Sequence, residues 1–382
     1  MKKCIVCGEK LAKEPLISFE NMPSSAQNIP NIDELEKDKG ITLNLHQCKN
    51  CGLIQFDCEP VEYYRDVIRS GGYSTTMTEL RRSQYSHLID KYNLEGKKFL
   101  EVGCGQGEFL NVLKEFPVEA FGIENKEDLV ELAKDKGLNV KQDFMENEDT
   151  VIEGAPFDVF LSFNFLEHQP NPNDMLKGIY NNLSDEGMGL ITVPSFEYIL
   201  ENDGYYELIR DHIAYYTFET LRFTLEKNGF MVLEEEMINR DTLSVIVKKR
   251  QKTDINNIIN SYSKITGQIN DYISQMKDKS NHVAIWGASH QGFTIASTAN
   301  LKDKIDFIID SAPFKQGNYA PSSHIPIISP DNAMKRDIDS IIIIAPGYVD
   351  EIANIIKTNF NSKIEIMTLM TNELEKYEEL DD

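Results

Sequence analysis

The stretch Phe99-Leu-Glu-Val-Gly-Cys-Gly-Gln-Gly-Glu-Phe-Leu110 decides how this chain folds. Its apolar start follows the charged Gly96-Lys97-Lys98 and predicts a buried parallel strand. The chain then turns through Gly103, Gly105 and Gly107 into an amphipathic helix. Because glycine has no Cβ, a ligand can press against bare backbone at such a turn, where the helix N-terminus also offers unpaired N–H groups. The stretch therefore predicts a strand–turn–helix unit that holds a ligand.

Two acidic residues near the turn favour a ligand that contains a ribose. Glu101 lies at the end of the strand, two residues before the first glycine, and Glu124 ends the next predicted strand, Ala120-Phe-Gly-Ile-Glu124. An acid at that distance can accept hydrogen bonds from both hydroxyls of a ribose. The turn lacks the third glycine of the G-x-G-x-x-G pattern, although a Rossmann turn that binds NAD remains the alternative.

This set of residues resembles the S-adenosylmethionine site of class I methyltransferases. The resemblance implies that the first two glycines lie against the methionine part of the cofactor, with Glu101 nearby. It also implies that Glu124 binds the ribose and that Asp143 meets the exocyclic amine of the adenine. The cofactor-binding residues expected on this basis are Glu101, Gly103, Gly105, Glu124, Asp143 and Asn164.

Composition indicates a globular protein with more than one domain. The 382 residues are too many for one ordinary domain, and 41% hydrophobic with 26% charged residues is typical of soluble proteins. The net charge of −23 argues against a nucleic-acid surface, although the acidic end Glu373–Asp382 carries part of it. No apolar run is long enough to span a membrane, and no apolar signal core follows Met1. We expect a cytoplasmic protein that binds neither nucleic acid nor membrane, in an oligomeric state that the sequence leaves open.

Four of the six cysteines form two C-x-x-C pairs, Cys4-Ile-Val-Cys7 and Cys48-Lys-Asn-Cys51, and each pair is followed by a glycine. Each pair predicts a tight turn that aims two thiolates at one point. In a cytoplasmic chain this pattern favours metal over disulfide. We therefore expect a closed structural zinc site made of these four cysteines, with two unrelated redox pairs as the alternative.

Predicted strands and helices alternate from residue 99 to about 250, which is typical of a doubly wound, mostly parallel sheet. We expect three segments: a zinc-binding module at 1–75, a methyltransferase domain at 76–250, and a connector helix with a second Rossmann-like domain at 251–382. The polar loop Ser70-Gly-Gly-Tyr73-Ser precedes the methyltransferase domain. It is either a lid whose Tyr73 contacts the substrate or an ordinary surface loop.

The last segment contains a second glycine turn, Gly287-Ala-Ser-His290-Gln-Gly292, after the predicted strand His282–Trp286. Its glycine spacing is looser than that of the first turn. The sequence leaves open whether this turn binds a nucleotide or only lets a helix close onto the sheet.

Taken together, the three segments resemble the sugar C-methyltransferases that act on nucleotide-linked deoxysugars. The most specific match is the stretch Ile309-Asp-Ser-Ala-Pro-Phe-Lys315-Gln-Gly-Asn-Tyr-Ala-Pro321. The resemblance implies an α/β fold: a class I methyltransferase Rossmann-like domain between a zinc-binding module and a second Rossmann-like domain. It also implies that the last domain helps to hold the nucleotide end of the sugar donor.

The candidate catalytic residues follow the fourth and fifth strands of the methyltransferase domain. A carbon or hydroxyl acceptor must lose a proton before it takes a methyl group, and imidazole titrates near neutral pH. The resemblance makes His212 the candidate base. It also implies that His168 faces the sugar pocket, and His168 is the alternative candidate base. The full catalytic set is His168, Asp211 and His212, and the substrate-binding set is Tyr73, Glu167, Tyr215, His290 and Lys315.

Several residues depart from the family pattern. The family has a glutamate beside the base and a tyrosine three residues before it, where this chain has Asp211 and Ile209. Methylation of an oxygen or nitrogen of a related glycan precursor is therefore a second hypothesis, with a hydroxyl as the alternative acceptor. A zinc-dependent scaffold that keeps an inactive methyltransferase fold is a third.

Overall fold

The computed structural model describes residues 2–66 and 74–378. The chain divides into two compact units, Met1–Lys252 and Thr253–Asp382. Tyr73 and residues 70–72 of the predicted lid lie outside the described residues, so this loop stays a prediction. Within the described ranges, no helix is both long and apolar enough to cross a membrane.

The first unit contains eleven strands and six α-helices among its described residues. In chain order they are β1 (Ile17–Met22), β2 (Ile41–Gln47), β3 (Ile54–Phe56), α1 (Thr75–Tyr92), β4 (Lys98–Val102), α2 (Glu108–Leu113), β5 (Glu119–Glu124), α3 (Glu127–Asp135), β6 (Val140–Gln142), β7 (Phe157–Phe163), α4 (Pro172–Asn182), β8 (Leu183–Pro194), α5 (Phe196–Glu201), β9 (Ala214–Tyr215), α6 (Phe218–Lys227), β10 (Phe230–Ile238) and β11 (Thr242–Lys249).

Seven of these strands form one sheet in the order β10-β11-β8-β7-β4-β5-β6. The strands from β8 to β6 run parallel, whereas β11 is antiparallel to both of its neighbours. Successive residues of β4 enter different hydrophobic clusters, Phe99 on one face and Leu100 on the other, as expected of a sheet buried on both faces. This topology confirms the predicted doubly wound α/β fold and gathers the carboxyl ends of β4, β7 and β8 at one edge.

A smaller sheet joins the N-terminal segment to a distant part of the chain. Its order is β1-β2-β3-β9, and β9 is the short strand Ala214–Tyr215. Ile54 of β3 is the register partner of Tyr215. The N-terminal segment therefore completes its sheet with a strand that follows His212, and both lie within the first unit. The sequence boundary at 75/76 stays a prediction.

The second unit contains α7 (Asn256–Asp278), β12 (Val283–Trp286), α8 (His290–Thr298), β13 (Ile308–Ile309), β14 (Ile327–Ile328), α9 (Pro330–Ala333), β15 (Ser340–Ile343), α10 (Val349–Asn359), β16 (Glu365–Leu369) and β17 (Leu374–Lys376). The strand order is β14-β13-β12-β15-β16-β17, and only the last pair is antiparallel. This sheet confirms a second Rossmann-like domain.

The glycines of the second turn are needed for packing. Gly287 has a φ of +124°, and a Cβ there would lie 2.5 Å from the carbonyl oxygen of Ile344. A Cβ at Gly292 would lie 2.0 Å from the carbonyl oxygen of Gly287. Both positions must be glycine for α8 to approach the sheet this closely. The second glycine turn therefore lets α8 pack closely on the sheet, and whether it also binds a nucleotide is a separate question.

Candidate active site

A cleft of about 690 Å³ opens in the first unit at the carboxyl ends of β4, β7 and β8. Gly103 and Gly105 after β4, Asn164 after β7 and Pro194 at the end of β8 line it. This edge is where open α/β sheets bind their ligands, because the loops that leave parallel strands meet there. The structure thus brings the glycine turn and the end of the fourth central strand to one cavity, as the sequence predicts.

The glycine turn has a backbone that larger residues would strain. Gly103 and Gly105 have φ values of +70° and +57°, in the left-handed region. A Cβ at Gly103 would lie 3.3 Å from the ring of Phe165, and one at Gly105 would lie 3.2 Å from Oε2 of Glu108. These two residues leave bare backbone on the cleft wall, which fits the close approach of a ligand.

Glu124 anchors the far side of this turn. Its side chain is 6% exposed, and its carboxylate accepts hydrogen bonds from the backbone N–H groups of Gly105 and Lys126, both at 3.0 Å. The carboxylate therefore has a fixed position beside the turn. Its role as a ribose contact stays a prediction.

The remaining cofactor candidates divide into two groups. Asn164 lines the cleft, and its Oδ1 accepts a hydrogen bond from Oγ1 of Thr192 at 2.9 Å. Glu101 is fully buried in β4, and Asp143 lies beyond β6 with its carboxylate accepting the backbone N–H of Phe144 at 2.8 Å. Glu101, Glu124 and Asp143 are not among the residues that line this cleft.

Two histidines share the cleft and contact each other. The ring centroids of His168 and His212 are 4.7 Å apart with the planes at 72°. Nδ1 of His168 lies 2.7 Å from the carbonyl oxygen of Asp211. A carbonyl only accepts, so Nδ1 carries the proton and Nε2 is the basic nitrogen of the neutral ring. Glu167 completes the cluster, with one side-chain atom from each of the three residues within 4.8 Å of the others.

Burial keeps both imidazoles neutral. It lowers the pKa of His168, against the opposing effect of its hydrogen bond to the Asp211 backbone. Burial, followed by the charge that His168 would carry, lowers the pKa of His212 to about 3. Desolvation disfavours the charged imidazolium, so both rings are in the neutral, unprotonated form at neutral pH.

Asp211 does not orient His212 through its carboxylate. One carboxylate oxygen accepts the hydroxyl of Tyr63, and the other accepts the backbone N–H of Ala26 at 2.9 Å. Burial and this hydrogen bond to Asp211 raise the pKa of Tyr63. Asp211 therefore positions His168 through its backbone carbonyl, and its side chain ties the loop that carries His212 to the N-terminal segment.

Sequence reasoning missed that the N-terminal segment forms a wall of the cleft. Ala26, Gln27 and Ile29 line it. Arg210 donates hydrogen bonds to the carbonyl oxygens of Ser24 at 3.0 Å and of Glu59 at 3.3 Å, which holds this segment in place. No sequence motif predicts these contacts, because they join residues that are about half the chain apart.

Tyr215, a predicted substrate contact, does not line the cleft. It is 2% exposed, and its hydroxyl both accepts the backbone N–H of Ile209 at 2.8 Å and donates to the Ile209 carbonyl at 3.1 Å. Burial raises its pKa strongly. Its hydroxyl is thus engaged with the backbone of Ile209, and Ile209 lines the cleft instead.

The four paired cysteines converge at one point. The Sγ atoms of Cys4 and Cys51 are 3.5 Å apart, those of Cys7 and Cys48 are 3.4 Å apart, and all four lie within 4.8 Å of one another. A disulfide would need about 2.05 Å. A tetrahedral zinc with bonds of about 2.3 Å separates its sulfurs by about 3.8 Å, so the arrangement fits that ion.

The second unit holds the two remaining substrate candidates. His290 is exposed at the start of α8. Nζ of Lys315 lies 2.9 Å from Oδ2 of Asp310, which also accepts the backbone N–H of Ala288 at 2.9 Å. Asp310 therefore links Lys315 to the second glycine turn, and the lysine is part of that turn's surroundings.

Two family models match most of the chain. Residues 77–235 match the methyltransferase domain, and residues 245–369 match the C-methyltransferase C-terminal domain. The first match covers the glycine turn and the histidine pair, and the second covers the sheet of the second unit from β12 to β16.

Individual proteins are similar to all or part of the chain. The C-methyltransferase NovU of Streptomyces niveus is 20% identical over 385 aligned positions, which cover 92% of this chain and 91% of that protein. A ubiquinone biosynthesis O-methyltransferase of Coxiella burnetii is 28% identical over 95 positions, 24% of this chain and 41% of its own length, so the chain spans less than half of that relative. Among solved structures, an S-adenosylmethionine-dependent methyltransferase from Clostridium acetobutylicum aligns with a TM-score of 0.37 and 12% identity, over 45% of this chain and 92% of that one.

Proposed function

We propose that this chain, which belongs to the S-adenosylmethionine-dependent C-methyltransferases, methylates a carbon atom of a nucleotide-linked sugar. The observation that carries the proposal is the joint presence, in one cleft, of the glycine turn and a neutral histidine pair. The first suits the cofactor, and the second suits an acceptor that must lose a proton. Biosynthesis of a surface glycan or secondary metabolite is the setting that this chemistry fits.

The cofactor is proposed to lie along the turn after β4. S-adenosylmethionine supplies an electrophilic methyl group on a sulfonium, whose leaving group needs no acid. In our proposal Gly103 and Gly105 admit its methionine part, with Glu101 behind them. Glu124 binds the ribose hydroxyls, and Asp143 meets the adenine. The fixed position of the Glu124 carboxylate, between two backbone N–H groups, supports this assignment.

A carbon acceptor needs a base, because a C–H bond next to a carbonyl must lose its proton to supply the electron pair. The geometry favours His168 over His212 for this role. The bond from Nδ1 to the Asp211 carbonyl fixes the ring and leaves Nε2 as the proton acceptor, which is the usual arrangement of an oriented base. The Oε1 atom of Glu167, 3.9 Å from Nε2, would stabilise the imidazolium that forms.

The substrate contacts remain proposals. In the first unit, Glu167 would hold the sugar beside the histidines, and Asn164 would contact the cofactor. In the second unit, His290 and Lys315 would bind the nucleotide part, and the position of Lys315 beside the second glycine turn supports this. Tyr73 is retained as a proposed substrate contact outside the described residues.

The four-cysteine cluster is proposed to hold a structural zinc ion. Four protein ligands leave no open coordination position, so the metal would take no part in the methyl transfer. Its role would be to fold the N-terminal segment, whose Ala26 and Gln27 line the cleft and donate backbone hydrogen bonds to Asp211 and Tyr63.

A hydroxyl acceptor is the second candidate. The observation that favours it is Ile209, which lines the cleft where the family has a tyrosine. Without that phenol, one acid–base group expected for carbon methylation is missing.

The experiment is a panel of nucleotide-sugars incubated with S-adenosylmethionine and scored by mass for the gain of one methyl group. We expect at least one keto-sugar nucleotide to be methylated, while the free sugar without its nucleotide is not. Methylation of free sugars alone, or of none of the nucleotide-sugars, would contradict the proposal.

A further inference from the structure

Three side chains around the proposed base offer one carboxylate and two imidazoles to a metal ion. One ligand atom from each of Glu167, His168 and His212 lies within 4.8 Å of the other two. Glu167 and His168 are buried, His212 is half-buried, and all three line the cleft. Two histidines with one carboxylate are the ligand set of many catalytic zinc and iron sites. The group is therefore a candidate metal site, distinct from the four cysteines.

The backbone brings these three residues together. Glu167 and His168 belong to the short turn Leu166–His168 that follows β7. The backbone N–H of Ile213 donates to the carbonyl oxygen of Glu167 at 3.0 Å, which fixes the segment after His212 against that turn. The proximity of the three side chains thus follows from how two segments of the chain are joined.

The hydrogen bond of His168 suits a metal ligand. Nδ1 donates to the carbonyl oxygen of Asp211 at 2.7 Å, so Nε2 presents its electron pair to the cleft side. Histidines that bind metals nearly always donate their other ring N–H to a carbonyl or carboxylate in this way. Oε1 of Glu167 lies 3.9 Å from that Nε2. Ligands bound to one ion at about 2.1 Å lie about 3.0–3.4 Å apart, so these two atoms need to approach by only about 0.5–1 Å.

The ligand set also indicates the class of ion. Imidazole nitrogens favour Co²⁺, Ni²⁺ and Zn²⁺, whereas Mg²⁺ and Ca²⁺ take oxygen ligands. Three protein ligands leave coordination positions open, unlike the four cysteines, which would close their site. An ion held by these three residues therefore lies at the cleft wall and keeps open positions.

We propose that Glu167, His168 and His212 bind a divalent transition-metal ion and that this ion inhibits methyl transfer. The ion would occupy the electron pair of Nε2 of His168, which is the pair proposed to take the proton from the acceptor. The inhibition therefore rests on the proposed function, but the binding does not. Binding is measured with no acceptor and no cofactor present, so the failure of one proposal is distinguishable from the failure of the other.

Titration of the wild-type protein with Co²⁺ provides the first test. The protein carries no histidine tag and is loaded with equimolar zinc, which the four thiolates take first. We expect about one Co²⁺ per chain in addition, with an absorption spectrum that lacks the charge-transfer band of cobalt thiolates. Mg²⁺ is the control ion and should not compete. If no cobalt ion binds, or if thiolates are its only ligands, the proposal is overturned, and this test requires no variant to fold.

The variants His168→Ala, His212→Ala and Glu167→Gln provide the second test. Each should weaken Co²⁺ binding by at least about 100-fold, because loss of an outer-shell partner alone costs about 10- to 100-fold. The matched control is His87→Ala, since His87 is exposed and pairs with Glu234 away from the cleft. It should bind Co²⁺ as the wild type does. Unchanged binding in the three variants would place the ion elsewhere and overturn the proposal.

Turnover in the presence of Co²⁺ tests the inhibition. We expect kcat of the wild type and of His87→Ala to fall in proportion to the fraction of sites filled, and to recover when the ion is diluted out. Mg²⁺, which also binds the phosphates of a nucleotide-sugar, should leave kcat unchanged. Turnover that stays constant or rises when Co²⁺ fills the site would overturn the inhibitory role.

Discussion

The carbonyl oxygen of Asp211 accepts a hydrogen bond from Nδ1 of His168 across 2.7 Å. This bond sets the tautomer of His168 and joins it to the loop that carries His212. The Asp211 carboxylate meanwhile holds Tyr63 and the backbone of Ala26. One residue therefore positions a candidate base with its backbone and fixes the N-terminal wall of the cleft with its side chain.

His168→Ala should lower kcat by about 10²–10⁴, the usual contribution of a general base, with the affinity for S-adenosylhomocysteine unchanged. His212→Ala should reduce kcat less, since the described contacts of its ring include no bond that orients it. Steady-state kinetics and titration of both variants give the comparison. His87→Ala is the control, because His87 pairs with Glu234 away from the cleft. If His168→Ala keeps full turnover and His212→Ala loses it, His212 is the general base.

The pH dependence of kcat/KM should report a base with a lowered pKa. Burial lowers the pKa of His168, so protonation of this ring, which removes the base, occurs below the ordinary value of about 6.5. The rate should therefore be constant from about pH 7 upward through the neutral range and should fall on the acid side of pH 6.5. Because the pKa of His212 is about 3, its titration should not change kcat/KM near neutral pH. A limb whose midpoint lies above pH 7 would contradict this assignment of the base.

Glu124→Ala should weaken binding of S-adenosylhomocysteine by about 1.5–3 kcal/mol, because it removes charge-assisted hydrogen bonds to the ribose. Isothermal titration measures the change. Glu127→Ala is the matched control, since Glu127 is an exposed residue of α3 close in sequence to Glu124. If Glu124→Ala binds the ligand as the wild type does, the ribose lies elsewhere.

Elemental analysis should find about one zinc per chain, as a closed four-cysteine site requires. Cys48→Ser should lower both the zinc content and the melting temperature, because the free energy of metal binding contributes to folding. Cys58→Ser should keep the metal, since Cys58 lies outside the cluster of four sulfurs. A wild-type protein that is free of metal and equally stable would exclude the zinc site.

Lys315→Ala should raise the KM for the nucleotide-sugar and leave the affinity for S-adenosylhomocysteine unchanged. The variant removes the cation that pairs with Asp310 beside the second glycine turn. Lys302→Ala, an exposed lysine of the same unit, is the control. Equal losses for both ligands would instead indicate that this segment only supports the fold.

Local patterns made most of the fold predictable. The buried run at Phe157–Phe163 and the glycine turn after Val102 encode their own conformations, because burial on both faces and positive φ values restrict which residues fit. The two C-x-x-C-G turns likewise encode their shape: Gly8 and Gly52 have φ values of +79° and +78°.

Long-range contacts in the site could not be predicted in this way. Tyr63 and Asp211 are 148 positions apart, and no periodicity in either segment indicates that they meet. Tyr215 has the residue type of a substrate contact, but its hydroxyl bonds to the Ile209 backbone. In the sequence, Arg81 is one more charged residue of a predicted helix. In the structure it lies beside Phe163 and Thr192 of the sheet.

We propose that the enzyme methylates a carbon atom in a nucleotide-linked sugar. The most direct measurement uses S-adenosylmethionine with an isotope-labelled methyl carbon and determines by NMR which atom of the product carries the label. We expect a carbon–carbon coupling between the labelled methyl group and a ring carbon of a sugar that still carries its nucleotide. A label bound to oxygen or nitrogen, or found on a product without a nucleotide, would contradict it.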